Sequence, residues 1–265
     1  MTDAIFSAGR RTAILALLGL AAGCGGGGSG TATPMAGSVQ VRSVTAGSNG
    51  SDYPLYVYLP PDAQVDRSSL PTVYLLDGES RFQTMVDIAE ATRTRVIIVG
   101  IGNEAQRARD YVAPNLCTPN GGGEVAFLAF IRLQLIPFVD TTFGGDPKKR
   151  ALLGHSHGGS FVLYALFAEA PGARLFNAYL ASDASIDCMR ATVYAWESDY
   201  ADAHSGLPVR VHVSYGANLA NEPFGAQLAG RSYPDLRLVV MRYAGGHIGM
   251  IPAAFTDALA FAFAA

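Results

Sequence analysis

Lysine is nearly absent: Lys148 and Lys149 are the only two in 265 residues, and charged side chains of all kinds make up 15% of the chain. With a net charge of −3 and no basic run, the sequence lacks the electrostatic footprint that a nucleic-acid partner requires. No C-x-x-C or H-x-x-x-H spacing occurs among the three cysteines and five histidines, so no metal site is expected. No internal repeat is visible, which excludes a solenoid. The apolar fraction of 49% excludes a disordered chain, and the length suits one large domain.

What the chain does contain begins with an address. Arg10 and Arg11 precede an apolar stretch over residues 12–22, too short for a bilayer span and of the right length for a secretory signal. Its end, Leu20-Ala21-Ala22-Gly23-Cys24, resembles a bacterial lipobox, with Ala21 where leucine is commoner. The division expected is a cleaved signal over 1–23, a lipidated Cys24 with a Gly-rich tether over 24–37, and a folded domain over 38–265. Export to the periplasm or cell surface follows, with Gly25 after the cysteine directing an outer-membrane anchor. The membrane is then met only through that lipid. Cys117 and Cys188 remain as a pair, which in an exported protein reads equally as a disulfide or as two buried thiols.

Within 38–265, short apolar runs alternate with helical patterns. Residues 54–60, 71–78, 96–101, 150–154, 176–181, 209–215 and 236–243 read as strands, several of them apolar throughout as in strands buried on both faces. Residues 126–139 and 159–169 read as helices, and Phe255, Leu259 and Phe263 mark a closing one. Such alternation predicts an α/β fold with a largely parallel central sheet flanked by helices.

Gly154-His155-Ser156-His157-Gly158-Gly159 fits G-x-S-x-G between a strand and a helix, where a sharp turn would lift Ser156 to the top of the sheet. A serine hydroxyl is a weak nucleophile at neutral pH and needs a base, which in this order of elements comes last. His247, in the loop after the final strand, has that position. His155 and His157 belong to the turn itself, His212 lies inside a strand, and His204 precedes one. The amide of His157 is the expected oxyanion donor.

The segments Tyr56-Val57-Tyr58-Leu59-Pro60-Pro61, Val73-Tyr74-Leu75-Leu76-Asp77-Gly78, Arg107-Ala108-Arg109-Asp110-Tyr111-Val112-Ala113-Pro114, Leu135-Ile136-Pro137-Phe138 and Gly154-His155-Ser156 resemble, in order, the "Putative esterase" family of α/β-hydrolases. The Arg-x-Arg-Asp-Tyr segment is similar to the siderophore-esterase branch. The resemblance implies an α/β-hydrolase fold and a serine hydrolase cleaving carboxylic esters of a small molecule, with no cofactor. It implies Ser156 as nucleophile, His247 as base, a second oxyanion amide from Gly78 or Glu79, and Arg109, Asp110 and Trp196 toward the substrate. The side chains of Asp77 and Glu79 read as turn caps. The family's acid is expected three residues after Gly216, where this chain has Leu219. Glu222 is the nearest carboxylate and is taken as the acid, with Asp183 and Asp187 as alternatives. Residues 186–207, carrying Tyr194, Trp196, Tyr200 and His204, are expected to cover the site. An acyltransferase, or a binding lipoprotein that has kept the fold, would use the same elements; no oligomeric state is implied.

Overall fold

The computed structural model describes residues 37–47, 50–61 and 66–264; the leader, Cys24 and the glycine tract lie outside them. Eight strands form one sheet: β1 Ser38–Thr45, β2 Asp52–Leu59, β3 Thr72–Leu75, β4 Ile97–Ile101, β5 Arg150–His155, β6 Ala178–Ser182, β7 Arg210–Tyr215 and β8 Arg237–Arg242. Their order is β1-β2-β4-β3-β5-β6-β7-β8. The β1–β2 and β2–β4 pairs are antiparallel and every other pair is parallel. The edge strand β1 escapes sequence reading because it is mostly exposed and lacks an apolar run.

Helices cover both faces. They are α1 Gly78–Ala91, α2 Arg107–Tyr111, α3 Glu124–Phe130, α4 Ile136–Thr142, α5 His157–Phe167, α6 Ile186–Ala203, α7 Asn221–Gly230, α8 Gly246–Gly249 and α9 Ile251–Ala262, with a π-turn over Ile131–Leu135 between α3 and α4. Side chains alternate across a strand, so Val73 and Leu75 of β3 pack with α1 and α9 while Tyr74 and Leu76 face the cluster built with α3, α5 and α6. Burial on both faces explains why β3 and β4 are apolar without interruption. Each large apolar side chain so buried contributes about 1.5–3 kcal/mol.

Two expectations change here. Residues 186–203 are not a cover over the site: α6 packs on α5 and α7, burying Val193 and Tyr200. Trp196 meets Tyr164 of α5 edge to face at 5.1 Å, a packing role in place of the expected substrate contact. Cys117 and Cys188 are joined, tying the loop after α2 to the first turn of α6.

Candidate active site

β3, β5 and β6 are neighbours and parallel, so the turns that leave them emerge side by side. Each carries a non-glycine residue at positive φ: Asp77 at 54°, Ser156 at 62° and Asp183 at 43°. Conformations of this kind cost on the order of 1–3 kcal/mol each and persist only where neighbours enforce them.

Enforcement around Ser156 is explicit. Its amide donates to the Ser182 carbonyl at 2.9 Å, and its carbonyl accepts from Ser160 at 3.1 Å and Ser185 at 3.2 Å. A Cβ on Gly154 would stand 2.4 Å from the Gly158 carbonyl, and one on Gly159 would stand 2.9 Å from the Ser182 carbonyl. Those two glycines let strand, turn and helix close up. Ser156 Oγ remains partly exposed, 3.3 Å from Ser185 Oγ. His157 opens α5, and Gly78 and Glu79 open α1, so their amides have no acceptor within their own helices.

The turn after β3 is held from behind. Arg107 donates from Nε and Nη2 to the two carboxylate oxygens of Asp77, each at 3.0 Å, and Nη2 also reaches the His155 carbonyl at 3.5 Å. The Asp77 amide donates to Tyr111 Oη at 3.2 Å, and that hydroxyl donates to Asn103 Oδ1. Asp77 is thus a buried ion-pair partner and not a solvated cap. Glu79 is exposed and accepts from the Glu104 amide.

His247 lies in α8, introduced by Gly245 and Gly246 at φ 100° and 64°. Its Nδ1 is 2.6 Å from Asp183 Oδ2. That contact corrects the expected acid. Glu222 is exposed on the first turn of α7, while Asp183 is fully buried. Asp183 Oδ1 accepts from the amides of Gly216, Ala217 and Asn218 at 2.8, 3.2 and 3.0 Å, and Asn218 Nδ2 donates to the Asp183 carbonyl at 2.7 Å. The loop after β7 therefore supplies amides to a carboxylate from the neighbouring turn.

Behind His247 stands His155, 2% exposed, its ring centroid 4.5 Å from that of His247 and its Nδ1 3.1 Å from Ser182 Oγ. Burial, with the charge of His247 adding to it, pushes its pKa down to about 3, so it stays neutral. Burial and then the Arg107 guanidinium lower that of His157. His212 is buried inside β7 beside Phe261. No group of three or more metal-ligating side chains occurs among the described residues.

Arg109 and Asp110, expected toward the substrate, are engaged with each other and with their own surroundings. Asp110, 1% exposed, accepts from Arg109 Nε at 2.7 Å, Tyr53 Oη at 2.9 Å and Asn103 Nδ2 at 3.4 Å, and Arg109 also reaches Ser51. A charged motif of this type serves as readily to lock a loop as to hold a substrate. Sequence reading gave Arg107 a place in the Arg-x-Arg-Asp-Tyr segment but not its hold on Asp77, and passed over Ser185, which carries no spacing signal of its own.

The "Putative esterase" family description matches residues 46–179. The chain belongs to this family. It is 26% identical over 261 residues to the ferri-bacillibactin esterase BesA of Bacillus subtilis, covering 84% of this chain and 89% of that protein. It is 35% identical over 156 residues to the siderophore triacetylfusarinine C esterase of Aspergillus fumigatus, covering 52% of each. The crystal structure of the BES protein from Bacillus cereus superposes with a TM-score of 0.74 at 23% identity, covering 86% of this chain and 96% of that one. This esterase has the α/β-hydrolase fold and is a serine hydrolase of carboxylic esters.

Proposed function

We propose that Ser156 is the nucleophile, His247 the general base and Asp183 the acid that orients it. The observation that carries this reading is the 2.6 Å contact from His247 Nδ1 to a fully buried carboxylate. It fixes the proton on Nδ1 and leaves Nε2, on the far side of the ring, to act as base. Nε2 takes the Ser156 hydroxyl proton as Oγ bonds to the ester carbonyl carbon. The amides of His157 and of Gly78 or Glu79 receive the oxyanion, and the same proton leaves with the alcohol as the acyl-enzyme forms. Water, deprotonated by His247, then bonds to the acyl carbon and frees Ser156. A fluorophosphonate should label the wild-type chain on Ser156, and Ser156→Ala should abolish labelling and turnover with an unchanged melting curve. Full labelling of that variant would overturn the assignment.

The substrate we infer is a siderophore-type ester, on the strength of the two named relatives and of the resemblance of the Arg-x-Arg-Asp-Tyr segment to that branch. A siderophore trilactone should give a higher kcat/KM than p-nitrophenyl acetate; the reverse order would remove the inference. We infer further that Cys24 carries a lipid and anchors an exported, outer-membrane protein, from the charged flank, apolar run and small residues before it. Mass spectrometry of the mature N-terminus should find the acyl chains on Cys24, and an unmodified N-terminus would refute the anchor.

A further inference from the structure

The two ends of the sheet differ in chemistry. At one end the parallel strands finish in the turns of Asp77, Ser156 and Asp183; at the other they begin, and there cations gather. Arg93 and Arg95 lead into β4, Lys148 and Lys149 lead into β5, and Arg237 opens β8. All five are exposed, and both lysines of the chain are among them.

Ordinary structural roles account for only part of this. Lys149 pairs with Asp146 at 3.3 Å, and Arg210, at the start of β7, donates to the Phe261 and Ala264 carbonyls at 3.3 and 2.7 Å, capping α9. Arg93, Arg95, Lys148 and Arg237 form no ion pair among the described residues. Arg237 moreover stands in register with Arg210, and that neighbour together with burial lowers the Arg210 pKa. Between these groups lies a hollow of about 430 Å3 lined by Lys148, Lys149, Asn177, Arg210 and Phe263. It adjoins a second hollow that reaches Arg237 and Asp235 and shares Asn177 and Arg210. Arg210 and Arg237 face each other with no ion-paired carboxylate among the described residues, although Asp235 lines the same hollow, and an outside anion would supply the counter-charge they lack.

The path of the chain adds an independent observation. β1 runs parallel to β4, so its first residues lie at this same end. Gly37 donates its amide to Glu90 in the last turn of α1, three residues before Arg93. The first described residue, Gly37, therefore lies beside the cations, at the end away from Ser156.

We propose that this basic end docks on anionic phospholipid headgroups, so that the protein sits with its base on the bilayer and its catalytic turns facing outward. The proposal rests on the anchored reading for its setting, while the surface itself can be measured without the anchor. Residues 34–265 form one compact unit, and every residue of both core clusters lies within it, so this piece carries the whole packed core. At low salt it should co-sediment with vesicles of phosphatidylglycerol and phosphatidylcholine in equal parts, and not with phosphatidylcholine alone. Each cation near the surface accounts for about fivefold in partitioning, so Lys148→Gln with Lys149→Gln and Arg237→Gln should weaken binding on the order of a hundredfold, leaving ester turnover unchanged. Equal sedimentation with both vesicle types, an unaltered triple variant, or tighter binding to a DNA duplex than to the anionic vesicles would overturn it. Loss of the lipid on Cys24 would be seen only in the mature full chain by mass spectrometry, so the two failures are separable.

Discussion

Asp183 and Asp110 are both buried carboxylates, yet they end in opposite roles. Asp110 lies against the guanidinium of Arg109 at 2.7 Å, so its charge is matched by a fixed cation. Asp77 is matched likewise by Arg107. Among the described residues Asp183 has no such partner: it is held by backbone amides of residues 216–218, and the one titratable group hydrogen-bonded to it is His247. A buried carboxylate solvated by neutral donors keeps its charge in place without spending it on a permanent ion pair. What separates a catalytic aspartate from a locking one here is the kind of donor that neutralises it, and not the depth of burial.

The largest effect that sharpens this contrast comes from His247, the partner only Asp183 has. His247→Ala should lower kcat on the order of 10⁶, as loss of the base does in a serine protease, with the melting temperature little changed. Turnover within tenfold of wild type would remove His247 from the mechanism.

Asp110→Ala tests the other half. Removing the carboxylate that accepts from Arg109, Tyr53 and Asn103 should cost about 1–3 kcal/mol of stability, read from urea midpoints, with kcat/KM of the folded fraction within about twofold. A raised KM without loss of stability would return Asp110 to the substrate.

Two buried neutral histidines give a smaller, pH-dependent effect. His155 and His212 hold pKa values of about 3 and about 4 in the folded state, against about 6.5 when unfolded. Below pH 6.5 the unfolded chain binds more protons, so stability is full above that pH and falls as the pH drops toward 4. The slope approaches about 1.4 kcal/mol per pH unit for each histidine, and His212→Phe should remove one share. An unchanged slope in that variant would show that His212 does not titrate on unfolding.

Least affected should be Glu222→Gln. An exposed carboxylate contributes little, so kcat/KM should stay within about twofold.

Much of this fold is legible in the chain because strands buried on both faces leave continuous apolar runs, as at Val96–Ile101, and because a glycine-framed serine between strand and helix has few other uses. The last histidine follows from the order of elements. The acid does not, because its place depends on β6 lying next to β5 and on a positive φ at an aspartate, and neither leaves a mark in composition or spacing. Leu219 occupies the expected position since the loop after β7 contributes amides, and any residue offers those. Arg109 and Asp110 mislead for a related reason: a charged pair in a motif looks the same whether it grips a ligand or its own loop. The disulfide was half legible, as a parity of cysteines whose proximity only the packing of α6 settles.

The central claim is that the acid has moved to the turn after β6, and kcat for Asp183→Asn measures it most directly. Replacing the carboxylate by an amide keeps the shape and removes the charge and the Nδ1–H acceptor, so kcat should fall by about 10⁴ with the fold intact. A loss of less than about tenfold, alongside a large loss in Glu222→Gln, would contradict the account and return the acid to the loop after β7.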